Sequence, residues 1–341
     1  MDIGTAVDRN REQVLHVLDR AIVHAMLEAW RRCAQRGRHP EEPDFLAELV
    51  MTGAPLMQCG LSAVLLPQGI RPSVYAVYCH QQPLVRYGTN WSVGCELGDL
   101  LFAHIHTDAD KRTHRAAMLY QAKASPYDWH HLPRNDSQLE LLRNWPEFEY
   151  SRPSSLSRER RRINLRRGRR GTRYLLVDNT HPLHSGKGLW SLPGMSPVGS
   201  CYPRQTITVH RDWTVELLEI LALRAGGPFA GHQRAQQGVG WSRVIWDLLQ
   251  VGRDKVFNRK SLARVSAQRV AGDSAALDGM FYLSSQGSPW LLHADIHDWQ
   301  PREKLALKAG EVWVPPESLE YTYDQPQGTS IIVIETVAES G

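Results

Sequence analysis

Cysteine is scarce in this chain of 341 residues: Cys33, Cys59, Cys79, Cys95 and Cys201 make five, an odd number with no C-x-x-C pair. That argues against a disulfide framework and against a cysteine zinc site, and it fits a reducing compartment. Long apolar runs are missing too. No stretch approaches eighteen uninterrupted apolar residues, and the first residues lack a charged segment leading into an apolar stretch and a small-residue cleavage site. The expectation is a cytoplasmic protein with no membrane span and no secretory signal. There is no internal repeat, and Ser185-Gly186-Lys187-Gly188 falls short of a phosphate-binding loop.

What is present is enough apolar material for a core, 42% of residues, and a lopsided distribution of charge. The net charge is +4, but between Arg152 and Arg173 ten arginines stand against the single acid Glu159, so this segment carries +9 and the rest −5. Arginine forks match phosphate oxygens in charge and shape, so the block predicts contact with a nucleic-acid strand. Arg158, Arg160, Arg161, Arg162, Arg166, Arg167, Arg169 and Arg170 are its candidate contacts. The competing readings are a solvated loop and a patch for an acidic protein.

Apolar spacing predicts one long amphipathic helix from Asp8 or Asn10 to Arg36, and a shorter one from Asp44 that Gly53 and Pro55 stop. Strands are expected at Leu61 to Leu66, Ser73 to Cys79 and Leu84 to Tyr87. Two more, Asp99 to His106 and Arg115 to Lys123, should form a hairpin. A helix capped by Asp136 or Ser137 follows, then the arginine block, read as a flexible loop, and a buried strand at Arg173 to Asp178. Gly226 to Gly240 reads as a second break between helices near Thr214 to Arg224 and Ser242 to Val251. Further strands are expected at Met280 to Leu283, Trp290 to Ala294, Val312 to Val314 and Ser330 to Glu335.

If the hairpin turns near residue 111, paired positions sum to about 222 and Asp99 faces Lys123. Gln121 and Lys123 share a face because side chains on a strand alternate. A carboxylate, an amide and an ammonium would thus meet at one end of the hairpin. Taken singly they are ordinary: an Asp at a strand start is often a turn residue, and a Lys at a strand end a solubilising charge. Their conjunction, on a chain with an arginine block, is what carries chemistry.

These residues, Asp99 in GDLLF followed some twenty positions later by Gln121-Ala122-Lys123 in AAMLYQAK, resemble the PD-(D/E)xK restriction-endonuclease-like superfamily in its QxK form, known from methylation-dependent restriction nucleases. The resemblance spans roughly residues 40 to 180. It implies an α/β fold with a restriction-endonuclease-like core, a central mixed sheet flanked by helices, within residues 1–230, preceded by N-terminal helices and followed by a C-terminal α/β extension at 231–341. It also implies a Mg²⁺- or Mn²⁺-dependent nuclease acting on DNA or RNA, with defence against foreign DNA, within a complex of partner subunits, as a role. Asp99 would bind the metal, Gln121 and the Ala122 carbonyl would complete its shell, and Lys123 would serve the attacking water. Gly98 stands where the family has proline, and Gln121 brings no charge.

A hard cation wants oxygen ligands, so with Gln at 121 the site needs another acid. Glu96 is nearest, if Gly98 bends the chain; Glu48, on the entering helix, corresponds to the family's first-helix acid. Elsewhere, His104 and His106 with His114, His130 and His131 could suit zinc or general-base work but lack a nearby acid or cysteine. Trp129, Trp145, Trp190, Trp241 and Trp246 suit core packing better than base stacking. The second functional reading is a catalytically degenerate subunit that binds nucleic acid or a partner protein.

Overall fold

The computed structural model describes residues 2–35, 37–78, 83–180, 189, 195–257, 281–283 and 329–339. Two helices open the chain, α1 (Ile3–Arg9) and α2 (Arg11–Gln35), and Val14, Leu18, Ile22 and Ala25 form the buried stripe that the periodicity predicted. The next helix begins earlier than expected. Its first turn carries a capping box of Glu41 and Asp44, and α3 (Glu42–Glu48) passes through a π-helical turn (Leu49–Gly53) into α4 (Ala54–Leu65). The strand expected at Leu61 to Leu66 is therefore helical, and Gly53 and Pro55 do not stop the helix. Pro55 directly follows the π-helical turn at the start of α4, and the helix carries on past it. A short apolar run does not distinguish helix from buried strand.

The strands and later helices follow in the order β1 (Ile70–Val77), β2 (Leu84–Tyr87), β3 (Val93–Glu96), β4 (Leu100–Thr107), β5 (Thr113–Ser125), β6 (Trp129–His131), α5 (Ser137–Asn144), β7 (Phe148–Arg152), β8 (Arg160–Arg161), α6 (Leu165–Gly171), β9 (Thr172–Asp178), β10 (Val198–Cys201), β11 (Thr206–Asp212), α7 (Trp213–Leu221), β12 (Gly227–Pro228), α8 (His232–Gln236), α9 (Trp241–Phe257), β13 (Phe281–Leu283) and β14 (Ser330–Ala338). They build a ten-stranded mixed sheet, ordered β13-β1-β14-β4-β5-β9-β10-β11-β6 with β12 beside β5, and a smaller antiparallel sheet β3-β2-β7-β8. The fold is thus α/β, a large mixed sheet flanked by helices. β14 lies in its middle, parallel to β4 and antiparallel to β1. A boundary at residue 230 therefore does not set off a separate extension, since residues 330–338 complete the central sheet. The strands expected at Trp290 to Ala294 and Val312 to Val314 lie outside the described residues.

Alternation along β4 and β5 sorts side chains to two cores. Leu100, Phe102, Met118 and Tyr120 pack under α1–α4 and α7, while Leu101, Ala103, Ala117 and Leu119 pack with α5, α9 and the small sheet. By length and composition Glu42–Gln68 could cross a membrane. In this fold it packs on α2 and β1. It also buries two carboxylates against arginines, Asp44 on Arg38 at 2.6 Å and Glu48 on Arg32 at 2.7 Å.

Candidate active site

The expected hairpin forms, with a register two residues away from expectation. Leu100 pairs with Tyr120 and Thr107 with Thr113, so paired positions sum to 220 and Asp99 falls opposite Gln121, not Lys123. The turn is the reason. Asp108 accepts the Arg112 N–H at 2.8 Å and Lys111 takes a left-handed conformation, which centres the loop on residue 110. Because side chains repeat every two residues, Asp99, Gln121 and Lys123 still share one face.

Backbone bonds hold Asp99 from both sides: its N–H donates to the Tyr120 carbonyl at 2.8 Å and its carbonyl accepts from the Ser330 N–H at 2.6 Å. Gly98 is needed here, since a Cβ would lie 2.8 Å from a Leu119 methyl. That close approach lets the chain leave the small sheet at Glu96 and enter the large one at Leu100. Glu96 and Asp99 are thereby brought within hydrogen-bond reach, as the bend at Gly98 was expected to do.

Beyond Asp99 there is no β4 to pair with, and β5 runs on to Ser125 beside β9. Carboxylates take the N–H groups left on that edge. The Ala122 N–H donates to Asp99 Oδ2 and the Ala124 N–H to Glu42 Oε1, both at 2.7 Å. In a strand the N–H and C=O of one residue point to the same side, so the Ala122 carbonyl faces the same edge. The Gln121 amide nitrogen also donates to Asp99 Oδ2. Its Oε1 is buried with no hydrogen-bond partner, in a side chain only 3% exposed. Lys123 Nζ lies 3.4 Å from Gln138 Oε1, near the start of α5.

The electrostatics are those of crowded acids. Burial first, then the neighbouring Asp99 charge and hydrogen bond, push the Glu96 carboxyl well up, against the pull of Lys123. Burial also raises Asp99, with Glu42 adding to it, while Lys123, the Ala122 N–H and the hydrogen bond from Glu96 hold it down. Both carboxyls are raised, Glu96 further than Asp99. Glu48 is not part of this group: it pairs with Arg32 and accepts from Thr52 at 2.9 Å. Glu42, six residues earlier on the same helix, is the acid that reaches the site. Starting the helix at Asp44 concealed it; the Glu41–Asp44 box that begins the helix was the available signal.

Tyr174 was also missed. It pairs with Gln121 across β5 and β9, is fully buried, and its hydroxyl has no hydrogen-bond partner. Two orphaned polar atoms thus project from adjacent strands on one face. Unsatisfied buried groups are uncommon and call for a polar occupant such as water, an ion or a ligand. Among the described residues no three His, Cys, Asp or Glu side chains cluster as a metal site. A cation here would rely on Asp99 and Glu96 together with the Gln121 amide oxygen and the Ala122 carbonyl, an all-oxygen set that fits Mg²⁺ or Mn²⁺.

The arginine block is ordered, not a loop, and its members differ. Arg161 is a correction: it is buried, with Nε 2.6 Å from Asp247 and Nη1 3.0 Å from Glu159, and cannot reach a strand. Arg160 stacks on Trp91 at 4.8 Å, Arg169 donates to the Arg143 carbonyl and Arg170 to the Gly226 carbonyl. Arg158, Arg162, Arg166 and Arg167 are exposed.

His104 and His106 lie on the opposite face. Both contact Thr336 Oγ1, at 2.9 and 2.8 Å, and burial lowers both, His104 to about 3. His104 Nδ1 also meets the Ile220 carbonyl, which makes it a neutral core residue. Trp145 and Trp241 are core side chains; Trp129 is exposed and stacks on Tyr127. Trp190 and Ser185–Gly188 lie outside the described residues. Comparison of the chain with protein-family models, with curated proteins and with solved structures gives no match.

Proposed function

We propose that the chain is a metal-dependent nuclease that hydrolyses phosphodiester bonds of DNA at the Asp99–Gln121–Lys123 edge of the central sheet, on a restriction-endonuclease-like core. The observation that carries this reading is the buried, unpaired Gln121 Oε1 beside two carboxylates within hydrogen-bond reach of each other. Two acids by themselves repel a phosphodiester, so the arrangement makes chemical sense when a cation lies between them. Mg²⁺ or Mn²⁺ held by Asp99, Glu96, Gln121 and the Ala122 carbonyl would neutralise the phosphate and acidify a bound water.

The chain's own groups do the rest. Lys123 holds positive charge where a water oxygen attacks phosphorus and the bond to the leaving sugar oxygen breaks, and Gln138 steadies its ammonium. Gln121 fixes Asp99 through its amide nitrogen while presenting its oxygen. Exposed Arg158, Arg162, Arg166 and Arg167 supply phosphate contacts outside the site. A cytoplasmic defence role, alone or in a complex, follows from the resemblance and belongs to this proposal.

The test incubates wild type and Lys123→Ala with plasmid, linear DNA and RNA, with and without Mg²⁺ or Mn²⁺. Metal-dependent loss of DNA that drops at least a hundredfold in the variant supports the reading, and loss of RNA alone would reassign the substrate. A second reading has its own observation: Asp99 and Glu42 already serve as caps for edge N–H groups, a structural task requiring no metal. Equal retention of all substrates by both proteins, with binding intact, would favour that binding module.

A further inference from the structure

The two segments expected to be loops, the arginine block and residues 226–240, are neighbours in space. The Arg162 N–H bonds the Val239 carbonyl at 3.0 Å, and Arg170 Nε bonds the Gly226 carbonyl at 3.0 Å. Between them and the start of α9 lies a cavity of about 360 Å³, to which Arg167, Phe229, Arg234, Trp241, Ser242 and Arg243 contribute. No acid lines it. Arg243 is half engaged, its Nε 3.1 Å from Asp247, but Arg167 and Arg234 are exposed and make no ion pair among the described residues. Three guanidinium groups facing one cavity repel one another unless an anion enters. The cavity also meets the first turn of the 17-residue α9, where the Arg243 and Val244 N–H groups bond the Gly240 carbonyl at 3.0 and 3.2 Å and those of Trp241 and Ser242 have no carbonyl of their own helix to bond.

The rest of the lining is apolar and rigid. Phe229 sits edge-on to Trp246 at 5.9 Å, the Trp246 indole N–H donates to the Ala230 carbonyl at 2.8 Å, and Ser242 Oγ accepts the Ala230 N–H at 2.9 Å. Trp241 packs so tightly on Gly171 and Gly227 that a Cβ at either would lie within 2.6 Å of its ring. We propose that this cavity is a nucleotide-binding site, taking the phosphate of a nucleoside 5′-monophosphate unit on Arg167 and Arg234 and its base against the Phe229 wall. A bare phosphate would leave the apolar wall uncovered, and the volume is that of a small-molecule site. The site is distinct from the Asp99 edge. β12 reaches β5 at Ala116 and Ala117, about five residues from Ala122, or roughly 17 Å along the strand. The proposal therefore does not depend on cleavage.

Calorimetric titration tests it with five probes: deoxyadenosine monophosphate, deoxyadenosine, inorganic phosphate, and a short oligonucleotide with and without a 5′-phosphate. Wild type, Arg167→Ala/Arg234→Ala and Asp99→Asn are compared after thermal unfolding confirms that each is folded. The expected result is that the mononucleotide binds at least tenfold more tightly than nucleoside or phosphate. It should weaken at least tenfold in the double-arginine variant and stay unchanged in Asp99→Asn. Tighter binding of the 5′-phosphorylated oligonucleotide than of its unphosphorylated form, dependent on the same arginines, identifies a strand end as the occupant. Binding of the mononucleotide alone identifies a free nucleotide. Equal affinity for inorganic phosphate and nucleotide, nucleotide affinity indifferent to the two arginines, or no binding of any probe overturns the proposal.

Discussion

Two acidic centres lie on the same side of the large sheet, and they are built in opposite ways. Asp247 accepts from Arg161, Arg243 and the Tyr150 hydroxyl, so its charge is balanced and its oxygens are occupied. Asp99 has a second acid for its neighbour, an amide and a backbone N–H as donors, and an orphaned oxygen beside it. The first arrangement fastens α9 to the small sheet. The second sets two acids side by side, with Lys123 as the charge that offsets them. A buried carboxylate is therefore uninformative until its partners are named.

The largest expected effect tests the structural half of this contrast. Asp247→Ala leaves Arg161, whose side chain is 3% exposed, with only the exposed Glu159 as a counter-charge and should cost about 3–5 kcal/mol in urea unfolding. Asp99→Asn should cost under about 1 kcal/mol, because an asparagine oxygen still accepts the Ala122 N–H and the repulsion with Glu96 disappears. Comparable losses in the two variants would erase the distinction. Joint replacement, Arg161→Met with Asp247→Leu, should recover most of the loss, as apolar side chains often substitute for a buried ion pair.

Next in size is a pH effect at Glu96. A carboxyl raised in the folded state keeps its proton longer than in the unfolded chain, so stability falls as pH climbs through the window from 4.5 to about 8. Glu96→Gln removes that loss. The variant should be more stable than wild type by on the order of 2 kcal/mol at pH 8 once solvent screening is allowed for, and the gap should close by pH 5. Parallel thermal-unfolding curves across this range would show that neither burial nor Asp99 raises the Glu96 carboxyl.

What the sequence disclosed follows the same divide between local and distant causes. The hairpin, the shared face of Asp99, Gln121 and Lys123, and the bend at Gly98 were legible because strand alternation and glycine geometry are local. The register was not, since it depended on Asp108 capping the turn and Lys111 turning left-handed. Glu42 was hidden by a helix expected to begin at Asp44 that begins two residues earlier, and α4 by an apolar run that periodicity does not classify. The roles of Arg161 and of β14 depend on contacts 86 and more than 200 residues away in sequence, which spacing does not reveal.

The smallest effect separates arginines that the sequence presents alike. Arg166 is exposed and among the described residues only its backbone N–H is engaged, by Asn164, whereas Arg161 lies beneath the surface. Each phosphate contact releases counterions, so losing one should lower the slope of log Kd against log salt by roughly 0.9 for duplex DNA. Arg166→Ala should therefore weaken DNA binding a few-fold at low salt, flatten the slope by about one contact and leave unfolding unchanged. Arg161→Ala should do the reverse, lowering stability while the folded fraction keeps its slope. If Arg166→Ala leaves the slope untouched, Arg166 lies off the path of the strand.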